Sequence, residues 1–149
     1  MTGGCLLSFL LGEWDLQRHL VDIRLGLEGR FGGIARFSPD GPLAAGYDER
    51  GILTWPGHVG PASRRLRCES VGEGRVAFSF ADGRPFHHLE LRSDGFEAFH
   101  LCGADRYGGR FVLLGDDEWH ATWEVEGPHK ALLLKGIYRR IHARVSAPA

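Results

Sequence analysis

The chain has 149 residues, about one domain's worth and enough to bury a core without disulfides. Lys+Arg 18 against Asp+Glu 19 leave a formal charge of -1, with the arginines scattered instead of clustered, which argues against nucleic acid or an anionic membrane surface as partner. No segment reaches the ~20 apolar residues of a membrane span, and Cys5, Cys68 and Cys102 lack paired spacing, which fits a reducing, cytoplasmic setting better than a disulfide framework.

Taken in order, residues 1–11 read as a short amphipathic leader helix, not a signal peptide, because no basic flank precedes the apolar run. GEWDLQRHLVD then alternates Trp14, Leu16, Arg18 and Leu20 against polar neighbours, a strand with Arg18 on its buried face. GRFGGIARFSPDG sets Phe31, Gly33, Ala35 and Phe37 on one side and ends in a Ser-Pro-Asp-Gly turn. The return strand LAAGYDERGILTW puts Tyr47, Glu49, Gly51 and Leu53 in phase if that turn holds three residues, and Glu49 then points inward. After loop signals at Pro56-Gly57 and Gly60-Pro61, SRRLRCES carries Arg64, Leu66 and Cys68 on one face.

The stretch from Phe78 to Phe111 reads as four antiparallel strands turning at Asp82-Gly83, Asp94-Gly95 and Gly103-Ala104. Folding about these turns sets Phe78 opposite His87, Leu89 opposite His100, His87 opposite Cys102, Cys102 opposite Asp105 and His100 opposite Tyr107. On the outer face Arg92 would oppose Glu97, and Glu97 would oppose Arg110. Beyond it, Trp119, Ala121, Trp123 and Val125 share a face opposite Leu113, Phe111, Gly109 and Tyr107, with Gly109 making room for an indole. The last strand, KALLLKGIYRRI, offers Leu132, Leu134, Gly136, Tyr138 and Arg140 as its inner face, and residues 143–149 form a frayed tail. Ten consecutive antiparallel strands on short turns predict an all-β, up-and-down barrel over residues 1–149, which removes every edge strand.

Gly12-Glu13-Trp14 opening the first strand, with Arg139 or Arg140 in the last, resembles the calycin signature of lipocalins and fatty-acid-binding-protein relatives. That resemblance implies a Trp closing the barrel floor with an Arg stacked over it. LLGEWDLQRHLVD, GRFGGIARFSPDG, FADGRPFHHLEL, HLCGADRYGGRF and EWHATWEVEGPHK resemble an uncharacterised family of bacterial and fungal lipocalin-like domains. This implies an internal cavity and transfers no activity.

The inward polar set makes the candidate site: His87, His100, Cys102, Asp105 and Tyr107 on neighbouring strands, with Arg18, Glu49, Arg64 and Tyr138 beside them. Burying so many polar groups requires mutual pairing, water or a polar ligand. Phe78, Tyr47, Trp119 and Trp123 supply walls. The expected function is binding of a small, partly polar organic molecule without a cofactor. The alternative is a cofactor-independent lyase, decarboxylase or isomerase using His87, His100, Tyr107 and Asp105 for proton transfer. A zinc site on His87, His100 and Cys102, or heme on either histidine, is less favoured because strong ligand spacings are absent. Gly33, Ala35, Ala45, Gly51, Ala98 and Gly109 are read as leaving space inside, and a homodimer is left open.

Overall fold

The computed structural model describes residues 6–72, 74–92, 95–102 and 105–142, without the side chains of 90–92 and 95–102. Helix α1 spans Leu6–Leu10; the expected leader from residues 1 to 5 and the tail from 143 lie outside the described residues. The strands are β1 Gly12–Asp22, β2 Leu27–Pro39, β3 Ala44–Trp55, β4 His58–Gly72, β5 Arg75–Phe80, β6 Pro85–Arg92, β7 Gly95–Cys102, β8 Asp105–Leu113, β9 Glu118–Gly127 and β10 Lys130–Arg140. Each pairs antiparallel with the next, and β1 pairs with both β2 and β10, so the sheet closes on itself. The fold is the expected all-β, up-and-down barrel of lipocalin-like form with a short N-terminal helix. Among the described residues no helix is long and apolar enough to cross a membrane.

One end is plugged. Leu6, Leu7 and Leu10 of α1 are buried with Trp14, whose indole donates to the Leu10 carbonyl at 2.9 Å. Arg140 lies 4.2 Å from the Trp14 ring centroid and donates to the carbonyls of Leu11, Phe9 and Asp116 at 3.0, 2.8 and 3.0 Å. Arg139 instead points outward to Glu118, so the choice between the two arginines falls to Arg140.

The register agrees with alternation in most strands. Gly41, Pro42 and Leu43 make the three-residue turn between Asp40, whose N–H bonds the Ala44 carbonyl, and β3, which turns Glu49 inward. β8 and β9 pair as expected, Gly109 with Trp123 and Phe111 with Ala121. Two turns differ. β6 and β7 pair Arg92 with Gly95, Leu91 with Phe96 and Glu90 with Glu97, a register two residues from the expected pairing of Arg92 with Glu97. An even slip leaves every side chain's face unchanged. At Asp82-Gly83 the loop is one residue longer, Phe80 bonding Arg84 around Ala81–Gly83, and a β-bulge at Phe86 absorbs it while Phe78 still pairs with His87.

The inward glycines Gly33, Gly51 and Gly109 do not leave space. Gly33 and Gly51 pair directly, and a Cβ on Gly33 would fall 2.1 Å from the Arg50 carbonyl oxygen. Their backbones occupy the volume a side chain would need. A Cβ on Gly109 would meet Trp123 at 2.9 Å, while Ala35 and Ala45 are fully buried in the core. Ala98's side chain lies outside the described residues. What opens the interior is its far end. Inward residues next to α1, such as Leu16, Phe37, Cys68 and Val76, are buried, whereas inward Leu20, Leu53, Ala62, Phe80, Trp123 and Leu134 are only half-buried. Water therefore reaches the inner wall away from the plug.

Candidate functional site

Halfway along the barrel, β1 and β3 are joined across the intervening β2. Arg18 forks onto Glu49, Nη1 to Oε1 at 2.8 Å and Nη2 to Oε2 at 3.0 Å, and its Nη2 also reaches the Tyr138 hydroxyl at 3.1 Å. Tyr47 donates to Glu49 Oε2 two residues along the same strand, and its hydroxyl lies 3.3 Å from that of Tyr138. Arg64, directly opposite Glu49 on β4, brings its Nε within 3.4 Å of Oε1. Phe31 stands under the Arg18 guanidinium at 5.6 Å.

Burial alone would push the Glu49 carboxyl up, but the Arg18 hydrogen bonds, the charges of Arg64 and Arg18 and the Tyr47 bond outweigh it and hold the group below the usual carboxylate range. Tyr47 goes the other way. Burial, then Tyr138 and the Glu49 charge, push its phenol well above ordinary tyrosine. Burial works against the Arg18 charge, yet Tyr138 and Glu49 leave the guanidinium more strongly protonated than usual.

Aromatic rings continue from this cluster around the inside of the barrel. Tyr138 stacks on Trp119 at 3.7 Å, Trp119 on Phe111 at 5.6 Å, and Phe111 lies 6.1 Å from His87. His87 stacks on Phe78 at 4.6 Å, Phe78 meets Phe37 at 6.4 Å, and Phe37 meets Tyr47 at 4.7 Å. The Tyr47–Tyr138 hydroxyl contact closes the circuit. Above it, the bulge turns Phe86 inward onto Phe80, Trp123 and His87, 4.8, 5.8 and 4.6 Å away.

Of the sequence-derived site residues, the structure gathers Arg18, Tyr47, Glu49, Arg64 and Tyr138 into the polar cluster, and His87, Phe78, Trp119 and Trp123 into the aromatic wall. Tyr107 borders that wall, 6.5 Å from Phe86. Asp105 stands apart: it packs on Gly127 and faces Lys130 Nζ at 3.5 Å, toward the open end. The backbones of His100 and Cys102 pair with Tyr107 and Asp105 as expected, but their side chains lie outside the described residues, as does most of the zinc alternative they would build. Among the described residues no three His, Cys, Asp or Glu side chains converge. Cys68 is buried against the Ala45 carbonyl, its thiol pushed up to about 11 by that burial. Sequence reasoning missed Phe37, Phe86 and Phe111 as ring members; inward parity with Phe31 and with Tyr107 was the available signal for Phe37 and Phe111, and none marked the bulge at Phe86.

Solved structures share the fold. The S-type phycobiliprotein lyase CPES from Guillardia theta superposes with a TM-score of 0.64 at 11% identity, over 93% of this chain and 92% of that one. A de novo designed fluorescence-activating β-barrel gives 0.50 at 15% identity, over 95% and 100%. The structure of EF1p2_mFAP2b bound to DFHBI gives 0.50 at 12%, over 90% and 95%. No curated protein matches the chain by sequence. A profile described as a family of unknown function, DUF6314, matches residues 10–140, and the chain belongs to that family.

Proposed function

We propose that this barrel binds a small, partly polar organic molecule in its water-reached half, with aromatic rings gripping the apolar body and the Arg18/Glu49/Tyr47/Tyr138 cluster orienting a polar end. The carrying observation is the juxtaposition of that cluster with the aromatic circuit at the floor of an interior whose upper wall is only half-buried. Two structures of the same fold support this reading: EF1p2_mFAP2b is bound to DFHBI, and CPES is a phycobiliprotein lyase. The calycin reading of Gly12-Glu13-Trp14 belongs to the same proposal and is supported by Arg140 over Trp14. So does a cytoplasmic setting, which rests on the unpaired cysteine spacing.

Binding is favoured over acid–base catalysis by the chemistry of the cluster. Glu49 is held ionised and Tyr47 protonated across neutral pH, so neither exchanges a proton where a catalyst needs one. Asp105, expected beside the histidines, is engaged with Lys130. Native mass spectrometry of the purified protein tests the reading: a non-covalent small-molecule adduct that disappears on denaturation is expected. A clean apo mass, together with no uptake from a panel of planar aromatic compounds, would sink it.

A further inference from the structure

The polar cluster carries one more cation than it can neutralise. Arg18 and Arg64 both face Glu49, the one carboxylate of a cluster that Tyr47 and Tyr138 join through their hydroxyls. Glu49 is engaged chiefly by Arg18 and Tyr47, and Arg64 approaches it only through Nε. Oε1 accepts from Arg18 and lies 3.4 Å from Arg64 Nε, and Oε2 accepts from Arg18 and Tyr47, so three of the four lone-pair directions of the carboxylate are filled by other residues. The Nη fork of Arg64 has no partner among the described residues, and its side chain is 45% exposed although β4 alternation turns it inward beside Leu66 and Ala62. The other charges of the described inner wall are matched, Asp105 by Lys130 and Arg140 by main-chain carbonyls.

Resting on the binding reading above, we propose that the ligand is a carboxylate, received by the two Nη donors of Arg64 while its apolar body lies along Phe86 and Trp123. A guanidinium fork matches the two oxygens of a carboxylate in geometry and charge. Arg18 cannot take this part, because both its Nη atoms are committed to Glu49 and Tyr138. Arg64 is held at one edge by Glu49 and presents the other to the water-reached interior.

The test uses pyrene-1-butyrate and its methyl ester, which differ only in the charge, titrated by fluorescence near neutral pH into the wild type, Arg64→Gln and the control Arg65→Gln. Arg65 is the exposed neighbour on the same strand, paired with Asp48. The wild type and Arg65→Gln should bind the acid about tenfold more tightly than the ester, and Arg64→Gln should bring the two to near equality, the loss expected for one charge-assisted contact. Equal wild-type affinity for acid and ester, or an Arg64→Gln variant that keeps the preference or weakens both probes alike, would overturn the carboxylate inference while leaving the binding reading standing. Binding of neither probe by the wild type would overturn both. Melting of all three proteins, expected within a few degrees of one another, separates loss of the fork from loss of the fold.

Discussion

Arg18 and Glu49 tie together two strands that are not neighbours in the sheet: the guanidinium on β1 reaches past β2 to the carboxylate on β3 through two bonds of 2.8 and 3.0 Å. A buried pair of this kind is weak evidence for net stability but strong evidence for mutual dependence. Replacing Glu49 with Gln leaves Arg18 charged and uncompensated, and should cost ~3–5 kcal/mol in urea unfolding. The double variant Arg18→Met, Glu49→Leu removes both charges and should recover most of that loss. If the single and double variants are equally unstable, the bridge is not what couples the two residues.

The same carboxylate predicts an acid limb. Its folded pKa is depressed below the ordinary 4.5, so its contribution is fully present above the unfolded value and is lost as pH falls through the folded one. Below about pH 4.5 the wild type should lose melting temperature more steeply than Glu49→Gln. Tyr47 works in the opposite sense. Its folded pKa is raised above 10.0, so its contribution is complete below that value and is lost as pH rises through the folded pKa. Tyr47→Phe should flatten the alkaline limb, and an unchanged limb would place the buried phenol elsewhere in the titration.

Alternation made the faces legible, and short turns made the strand order legible, because a side chain's face depends only on parity along the strand. Glu49 was readable as inward once three residues were allotted to the Gly41–Leu43 turn. The β6–β7 corner was not readable. Asp94-Gly95 is a good two-residue turn on paper, yet Arg92 pairs with Gly95, and an even slip leaves no trace in the hydrophobic pattern. Phe86 was hidden for a related reason: a bulge adds one residue to one strand and turns an outward position inward. Among the described residues the polar cluster gathers at Arg18 and Glu49, while the side chains of His100 and Cys102 lie outside the described residues. Pairing across a closed barrel depends on how strands two apart face each other, which local register does not report.

Arg140 should be irreplaceable by lysine. Its guanidinium covers Trp14 and donates to the carbonyls of Phe9, Leu11 and Asp116 at once, whereas an ammonium is a point charge that can neither stack flat nor serve all three. Arg140→Lys should lower stability by ~1–2 kcal/mol, one lost carbonyl bond and the cation–π contact together. With Trp55, Trp119 and Trp123 each replaced by Phe, so that Trp14 is the one emitter, fluorescence should shift to the red as the plug loosens. A variant with wild-type melting and emission would show that α1 is held by its leucines alone.

Gly33 and Gly51 offer the most local test of how this barrel bends. They oppose each other on β2 and β3, and a Cβ on either would lie 2.1 or 2.2 Å from a carbonyl oxygen of the facing strand. The clash is with backbone, which cannot rotate away as a side-chain tip would, so relief requires the two strands to part. Gly33→Ala should therefore cost ~2–4 kcal/mol, at or beyond the upper range for overpacking a core. Gly46 is the matched control on β3, since a Cβ there meets nothing within 4 Å. Gly46→Ala should stay within ~0.5 kcal/mol of wild type. The chemical difference is one methyl group in both cases, so only the interstrand distance separates the two outcomes. Equal melting of Gly33→Ala and Gly46→Ala would mean that β2 and β3 do not approach this closely in solution, and that the small inward residues leave room in the interior after all.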